Sequence, residues 1–289
     1  MRTSNKLQGY ELLDTSCGER LERWGELYVV RPDPQVIWKT PKVSPFWGKL
    51  SAKYNRSKTG GGSWEFFKTL DVKQVVEYEN LKFWVKPMNF KHMGIFPEQV
   101  ANWETIRKLI ESEKRTLKVL NLFGYTGCAS LVAASSGAEV CHVDAAKGMV
   151  SWGRENAELS GMSNLPIRWI VDDCTKFVKR EIRRGNKYDV VILDPPSYGK
   201  GPSGEIWRLE DNIYDFLKLI TEILSDGFSF VMFNLYAGGL AAGVANYLVQ
   251  QTIGAKFNIS LNIDEIGIVV QSSGQVLPCG VVCIAKNSI

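Results

Sequence analysis

The stretch K-V-L-N-L-F-G-Y-T-G-C-A-S-L-V-A-A-S-S-G-A-E-V-C-H-V-D, residues 118–144, decides the fold of this chain. It opens with an apolar run, Val119–Phe123, whose length and composition are typical of a buried parallel strand. Gly124 and Gly127 then permit a tight turn, and the small residues that follow favour a helix packed closely on a sheet. A second apolar strand ends at Asp144. The pattern predicts a βαβ unit whose turn amides face a nucleotide and whose final acid accepts both ribose hydroxyls.

The glycine turn alone does not separate a nucleotide site from other α/β units. Its pattern is G-x-x-G, whereas dinucleotide enzymes have the longer G-x-G-x-x-G. The rest of the chain must therefore decide what the turn binds.

Composition places the chain among ordinary globular proteins. Its 289 residues, 45% hydrophobic and 23% charged, can bury a full core and allow two domains. Met1–Gly9 is polar and predicts no secretory signal, and the uncharged stretch Gly227–Ala255 predicts a strand, a glycine loop and a helix rather than a membrane span. The six cysteines lack the spacing of a zinc site, so we expect reduced core thiols, no metal and a cytoplasmic location.

Residues 1–88 are predicted to form a small β-rich domain, and residues 89–289 a larger second domain. Apolar residues between Pro and Gly predict strands in the first domain at Leu27–Val30, Val36–Trp38 and Leu81–Lys86.

A basic and aromatic stretch lies within residues 34–64. It contains six Lys or Arg, including Lys58, and no Asp or Glu; aromatic residues are interleaved with them, and glycines follow at 60–62. The net charge of +4 originates in this part of the chain, because the first 90 residues hold 15 Lys and Arg against 10 Asp and Glu. Cations for phosphates and aromatic faces for bases predict an RNA-binding surface at 38–64. The alternative is a solvated loop whose aromatic residues cap the small domain.

The remainder of the chain alternates strands and helices, which predicts an α/β fold with a largely parallel sheet covered on both faces. Predicted strands are Ile167–Val171, Tyr188–Leu193 and Phe228–Phe233, predicted helices are Lys147–Leu159, Thr175–Arg184 and Glu210–Leu224, and a closing antiparallel pair is predicted at Lys256–Ile263 and Val281–Ala285.

Acids follow two of these strands. Asp172 and Asp173 end the strand at Ile167–Val171, and an acid at the carboxyl end of a strand lies on the ligand side of an open α/β sheet. Either acid could instead cap the next helix. Asp194 precedes two prolines, which fix the backbone and leave its carbonyls free, so Asp194 beside Tyr198 is predicted to bind a planar, amine-bearing group.

Taken together, these motifs resemble the class I S-adenosylmethionine-dependent methyltransferases. More narrowly, they resemble the bacterial large-subunit ribosomal RNA methyltransferases that include the 5-methylcytosine enzymes. The resemblance is strongest over residues 89–289, and it implies a Rossmann-like methyltransferase fold, a mostly parallel seven-stranded sheet and S-adenosylmethionine as cofactor. The motifs are Phe96-Pro-Glu-Gln, Asn121-Leu-Phe-Gly-Tyr-Thr-Gly, Val143-Asp144, Asp172-Asp173 and Asp194-Pro-Pro-Ser-Tyr.

The resemblance also implies roles for single residues. The methionine part of the cofactor would lie at the glycine turn, its ribose on Asp144, and its adenine amino group on Asp173, with Cys174 alongside. The implied cofactor-binding residues are Phe96, Gln99, Asn121, Phe123, Gly124, Tyr125, Thr126, Gly127, Asp144, Asp173, Cys174 and Asp194. The implied catalytic residues are Asp194 and Pro195, facing the acceptor atom, and Tyr198, stacking on the base.

Two departures from the family pattern bear on the methylated atom. Carbon methylation in the 5-methylcytosine enzymes needs a thiolate, which in the family follows the fifth strand, where this chain has Phe233-Asn234-Leu235-Tyr236. In the family's amine-methylating members an aromatic residue directly follows the second proline, whereas here Ser197 precedes Tyr198. The missing thiol leads us to favour a nitrogen of ribosomal RNA over a carbon as acceptor, whereas the second departure leaves the target atom open. The alternatives are a small-molecule or protein methyltransferase, an NAD-dependent oxidoreductase, and a binding module without turnover.

Overall fold

The computed structural model describes residues 1–57, 61–69, 71–201, 204–236 and 240–288. The chain divides into two compact units, which are Met1–Asn102 with Ile266–Cys279, and Trp103–Glu265 with Gly280–Ile289. The division into domains of residues 1–88 and 89–289 stays a prediction.

The first unit is rich in β-structure, as predicted. Its strands are β1 (Leu7–Gln8), β2 (Tyr10–Ser16), β3 (Glu19–Trp24), β4 (Leu27–Pro32), β5 (Ala52–Arg56), β6 (Gly62–Phe66), β7 (Gln74–Tyr78) and β8 (Leu81–Val85). One sheet has the order β2-β3-β4-β5-β6, in which only β4 and β5 pair in parallel, and a second has the antiparallel order β1-β7-β8. Short 3-10 helices occupy Pro45–Gly48 and Pro97–Gln99.

The prediction of a strand at Val36–Trp38 is wrong, because these residues form no strand. Its backbone carbonyls accept hydrogen bonds from the turn between β2 and β3: the Gly18 amide donates to Val36 and the Cys17 amide to Trp38, both at 2.9 Å. The segment therefore packs beside that turn without joining a sheet.

A charged network is buried in the core of the first unit. Arg31 donates to both carboxylate oxygens of Glu22, at 2.6 and 2.7 Å, and the Tyr10 hydroxyl donates to the same carboxylate at 2.9 Å. Burial opposes the charged form of Glu22, but the neighbouring Arg20 and Arg31 guanidinium groups overcome it and lower the pKa of Glu22 to about 2. Removing either partner would leave an unpaired charge in the core.

The second unit holds one large sheet with helices packed on it. The strands that lie wholly or partly in this unit are β9 (Lys118–Leu122), β10 (Glu139–Asp144), β11 (Ile167–Val171), β12 (Val190–Leu193), β13 (Tyr198–Lys200), β14 (Ile206–Arg208), β15 (Phe230–Leu235), β16 (Ile259–Val269) and β17 (Val276–Asn287). The helices in the described ranges are α1 (Val100–Glu111), α2 (Cys128–Ser135), α3 (Lys147–Leu159), α4 (Cys174–Arg184), α5 (Leu209–Thr221) and α6 (Ala242–Thr252). The division between the two units falls within α1, β16 and β17. The sheet has the order β11-β10-β9-β12-β15-β17-β16. Its first five strands are parallel and β17 is antiparallel to β15, so the predicted mostly parallel seven-stranded sheet is confirmed.

Apolar runs explain why these segments form central strands. Every residue of β12 and β15 is buried, which suits parallel strands covered on both faces. The glycine predicted to end α4, Gly185, has a φ of 70°, a left-handed conformation that glycine adopts without strain. None of the helices in the described ranges combines the length and the apolar character needed to span a membrane. Gly238 and Gly239, in the predicted glycine loop, lie outside the described residues.

The strand order reverses direction next to β9. The chain builds outward from β9 through β10 and β11, and then returns to place β12 and β15 on the other side. In open α/β sheets, ligands bind beyond the carboxyl ends of the strands at such a switch point. The topology therefore locates a binding crevice where β9 and β12 end.

Candidate active site

Strand register brings two acids to the same edge of the sheet. Leu122 at the end of β9 lies opposite both Val143 of β10 and Leu193 of β12. Asp144 is the last residue of β10, and Asp194 directly follows β12. Neighbouring strands are about 4.8 Å apart, so the backbones of the two acids are roughly 10 Å apart, one on each side of the turn after β9.

The turn after β9 has an unusual backbone. Phe123 and Tyr125 have φ values of 57° and 52°, in the left-handed region, and Gly127 has a φ of 81°. The Gly124 amide donates to the Val143 carbonyl and the Gly127 amide to the Gly124 carbonyl, each at 3.0 Å. Left-handed non-glycine residues cost free energy and cluster at ligand sites, where the surroundings hold them in place. The backbone thus supports the prediction that this turn contacts a ligand.

Both turn glycines are required by aromatic rings packed against them. A Cβ at Gly124 would collide with the His142 imidazole, and a Cβ at Gly127 would lie 2.8 Å from the Trp169 ring. The two rings pack on each other with centroids 4.7 Å apart. The G-x-x-G spacing therefore follows from packing inside the unit as well as from access for a ligand.

Two of the predicted cofactor-binding side chains point into the protein. Asn121 is buried and donates to the Ser130 hydroxyl at 2.9 Å, and this hydroxyl shares a 2.9 Å hydrogen bond with Nδ1 of His142. Burial, followed by the nearby Arg154, lowers the pKa of His142 to about 3, so the imidazole is neutral at pH 7. Thr126 is also buried, and its carbonyl accepts from the Asn156 amide at 2.9 Å. These groups fix the turn from within.

Asp144 ties the turn to the start of α3. Its Oδ2 accepts from the Tyr125 amide at 2.9 Å and its Oδ1 from the Ala146 amide at 2.8 Å. Burial raises the pKa of Asp144, and the two backbone hydrogen bonds oppose that rise. A carboxylate has about four acceptor positions, so each oxygen can accept one more hydrogen bond. Asp144 is therefore suited to a pair of adjacent hydroxyl groups.

The end of β11 gives its acids structural partners. Asp173 caps α4, because its Oδ1 accepts a hydrogen bond from the Lys176 backbone amide at 2.8 Å. This is the alternative, capping role that the sequence allowed for Asp172 or Asp173. The other carboxylate oxygen of Asp173 does not take part in this bond. Asp172 forms an ion pair with Arg180. The Cys174 thiol is buried and accepts from the Phe123 amide at 3.3 Å, so it joins α4 to the turn after β9. Burial raises the pKa of Cys174 well above its usual value.

The double-proline corner after β12 leads into a short hairpin that the sequence reasoning missed. Asp194 is half-buried and Pro195 buried, whereas Ser197 and Tyr198 are exposed. Tyr198–Lys200 then pairs antiparallel with Ile206–Arg208. In the sequence, the Tyr-Gly-Lys and Ile-Trp-Arg triplets flank the residues Gly-Pro-Ser-Gly-Glu, and this pattern is the signal that could have revealed the hairpin.

An indole anchors this hairpin to the sheet. The Trp207 indole donates to the Pro196 carbonyl at 2.7 Å, and its ring lies 5.0 Å from the Phe123 ring and 5.4 Å from the Phe216 ring. Phe123, predicted to contact the cofactor, thus also supports the hairpin. Tyr198 retains 52% of its surface exposed, so its ring is accessible for stacking.

The remaining predicted cofactor residues belong to the first unit. Phe96 is half-buried, with its ring 5.1 Å from the His92 ring, and Gln99 is buried and accepts from the Asn102 amide at 2.9 Å. Burial and then the surrounding cations, Arg31 first among them, lower the pKa of His92 to about 3.

The aromatic residues of the basic stretch at 38–64 are held within the first unit. Their indoles donate to protein acceptors: Trp38 to the Thr15 carbonyl, Trp47 to Asp14 at 2.8 Å, and Trp64 to the Met88 carbonyl at 2.7 Å. Two of its cations, Lys42 and Lys53, pair with the same carboxylate, Glu19, at 2.8 and 2.6 Å. Lys58 and Gly60 lie outside the described residues.

The described part of the chain has no group of three His, Cys, Asp or Glu side chains placed to hold a metal ion. All six cysteines are free thiols, and only Cys17 is exposed.

Comparison with known proteins identifies related chains. The model of a family described as S-adenosylmethionine-dependent methyltransferase matches residues 48–234, more than half of the chain. A solved structure of a SAM-dependent methyltransferase from Agrobacterium tumefaciens is 36% identical, covers 99% of this chain and 92% of its own, and superimposes with a TM-score of 0.91.

Curated relatives include two kinds of ribosomal RNA large subunit methyltransferase. Methyltransferase K/L of Shewanella frigidimarina is 26% identical over 179 residues, which are 61% of this chain and 24% of the relative. Methyltransferase I of Aeromonas salmonicida is 32% identical over 127 residues, which are 44% of this chain and 31% of the relative. The chain thus spans about a quarter to a third of the length of these relatives.

Proposed function

The chain belongs to the S-adenosylmethionine-dependent methyltransferase family, and from this premise we propose that it methylates a base of ribosomal RNA at a nitrogen atom. S-Adenosylmethionine is its cofactor. The relatives named as ribosomal RNA large subunit methyltransferases support this class of substrate.

One observation supports the proposal most directly, the placement of Asp144 and Asp194 on opposite sides of the glycine turn at the switch point of the sheet. One acid can bind the cofactor while the other faces an acceptor across the turn. A methyl group held near the turn would then lie between them.

The residues at this edge fit the cofactor. Asp144 keeps acceptor capacity on both oxygens for the two ribose hydroxyls, and the second carboxylate oxygen of Asp173 remains for the adenine amino group. When bound, S-adenosylmethionine supplies a methyl group already activated on a sulfonium. The protein therefore has mainly to align the acceptor with that methyl group and to exclude water.

The corner at Asp194 provides the alignment. Its carboxylate and the Pro195 carbonyl are acceptors that can hold the N–H groups of an exocyclic amine and orient its lone pair. The prolines and the Trp207 hydrogen bond to Pro196 keep these acceptors rigid. The exposed ring of Tyr198 would stack on the base, which must be unpaired or turned out of a helix to reach the corner.

The state of the thiols favours nitrogen over carbon as the acceptor. Carbon methylation of a cytosine needs a thiolate, yet the cysteines of the second unit are all buried. Burial raises the pKa to about 12 for Cys128 and Cys283, to about 11 for Cys141, and well above the usual value for Cys174. A buried neutral thiol is a poor nucleophile.

We assign a supporting role in RNA binding to the basic stretch at 38–64. Because its indoles donate within the first unit, its contribution is electrostatic, through exposed cations such as Lys39 and Lys49. The proposed location is the cytoplasm, which keeps free thiols such as Cys17 reduced.

The experiment that tests this function is mass spectrometry of ribosomal RNA nucleosides from cells that lack the gene. We expect one N-methylated nucleoside of the large-subunit RNA to disappear, to return with the wild-type gene, and to stay absent with Asp194→Ala. A missing C-methylated nucleoside would refute the nitrogen acceptor. An unchanged nucleoside profile would refute ribosomal RNA as substrate and favour a small-molecule or protein acceptor.

A further inference from the structure

Helix α4 concentrates positive charge on one surface. Its 11 residues include five Lys or Arg and one Glu, a net charge of +4 that equals that of the whole chain. The single acid, Glu181, is buried and accepts from Arg184, Asn186 and Tyr188 at 2.7 to 2.9 Å. The exposed surface of α4 therefore presents cations.

Four of these cations form one row, which we call the basic stripe: Lys176, Lys179, Arg180 and Arg183. Their spacing of three and four residues places them on one face of the helix. Like charges at this spacing repel and weaken a helix. Arg180 pairs with Asp172 and Lys176 with Glu205, but Lys179 and Arg183 have no carboxylate partner among the residues that the structure describes. The stripe thus retains uncompensated charge.

The stripe lines an open groove of about 570 Å³ whose floor is formed by Ile182 and by Leu219 of α5. An apolar floor bordered by cations suits a strand of nucleic acid, because sugars pack on the floor while phosphates meet the cations. From Lys176 to Arg183 the helix rises about 10 Å, so the stripe extends far enough to contact more than one phosphate of a strand.

The β13–β14 hairpin links the groove to the corner at Asp194. The Lys176–Glu205 ion pair joins the first turn of α4 to this hairpin. Register places Tyr198 opposite Arg208 and Lys200 opposite Ile206, so these four side chains share one face. All four are exposed, Ile206 to 58%. This face adds two cations, an aromatic ring and an aliphatic side chain beside the proposed acceptor position.

We propose that the basic stripe and this face of the hairpin form a track for the substrate RNA. The stripe binds the sugar–phosphate backbone on one side of the methylated nucleotide, and the hairpin guides that nucleotide to Asp194. The inference rests on the proposed function, since it assigns the path of the same substrate. It names an RNA strand as the partner because the surface combines rows of cations with an accessible ring.

The test compares two double variants of the full chain that remove the same charge. Lys179→Gln with Arg183→Gln changes the stripe, whereas Lys108→Gln with Lys114→Gln changes exposed lysines at and just after the end of α1. The probe is a fluorescein-labelled single-stranded RNA of about 20 nucleotides, titrated by anisotropy between about 50 and 200 mM KCl. Binding of S-adenosylhomocysteine, measured by calorimetry, serves as the check of folding.

We expect the stripe variant to bind RNA about tenfold more weakly at low salt, and the slope of log K against log[KCl] to fall by about 1.4, since each single-strand phosphate contact contributes about 0.7. The control variant should match wild type, and both should bind S-adenosylhomocysteine normally. An unchanged slope in the stripe variant, an equal loss in the control, or no RNA binding by wild type would each overturn the track. The nucleoside analysis judges the proposed function separately, because it measures methylation and not RNA affinity.

Discussion

Replacement of Asp144 by asparagine should weaken cofactor binding and leave the stability of the protein almost unchanged. The carboxylate accepts backbone hydrogen bonds at 2.9 and 2.8 Å, from Tyr125 and Ala146, and has one further acceptor position on each oxygen. The amide keeps one acceptor oxygen and turns the other side into a donor. One backbone bond and one ribose bond to a charged acceptor are then lost, and the remaining ribose bond becomes neutral.

The magnitudes follow from these bonds. A hydrogen bond to a charged group contributes about 1.5–3 kcal/mol and a neutral one about 1 kcal/mol, so replacing two charged bonds by one neutral bond costs the cofactor about 2–5 kcal/mol, a rise in Kd of roughly 30-fold or more. Stability should change by less than about 1 kcal/mol, because the lost backbone bond is offset by removal of a charge whose pKa burial raises.

Calorimetric titration with S-adenosylhomocysteine measures the affinity, and thermal unfolding without ligand measures the stability. Asp215→Asn on the exposed face of α5 is the matched control, because it removes one carboxylate outside the crevice. If Asp144→Asn bound S-adenosylhomocysteine within about threefold of wild type, the ribose would not lie on this carboxylate, and the assigned orientation of the cofactor would be wrong.

Three other outcomes are expected. Asp194→Ala should abolish turnover while the Kd for S-adenosylhomocysteine stays within about threefold of wild type; a parallel loss in both would place Asp194 on the cofactor side. Gly127 has a φ of 81°, and a Cβ there would lie 2.8 Å from the Trp169 ring, so Gly127→Ala should lower the free energy of unfolding by about 2–4 kcal/mol. Gly185 is also left-handed but has open space around it, so Gly185→Ala should lower the free energy of unfolding by only about 1–2 kcal/mol. Equal losses of the two variants in denaturant unfolding would contradict the collision with Trp169. The pKa of Glu22 is lowered from 4.5 to about 2, so its ionised form should contribute about 3 kcal/mol of stability above pH 4.5, and this contribution is lost as the pH falls towards 2. Glu22→Gln should therefore make stability less dependent on pH between 4.5 and 2. An unchanged pH dependence in this variant would show that other groups control it.

The centre of the sheet was predictable because its strands are covered on both faces. Such strands need uninterrupted apolar runs, and the run at Val119–Phe123 differs from the observed β9 by one residue at each end. The small residues after Gly127 likewise predicted α2, and Gly185 predicted the end of α4, since both depend on local conformation.

Features set by distant contacts were not predictable. The β13–β14 hairpin has three-residue strands, and the bond that anchors it joins the Trp207 indole to a carbonyl 11 residues earlier. The segment at Val36–Trp38 has the composition of a strand, but its carbonyls accept hydrogen bonds from a turn about 20 residues earlier in the chain. The orientation of the Asn121 side chain was not predictable either, because it depends on a hydrogen bond to Ser130 in α2.

The imidazole of His142 occupies the space that a side chain at position 124 would need. The identity of the residue on β10 therefore restricts the residue allowed in the neighbouring loop, although 18 positions separate them in the chain. Among related chains, an alanine or serine at the first loop glycine should appear together with a smaller residue in place of the imidazole. Such paired substitutions would show that the side chains at positions 124 and 142 compete for the same space.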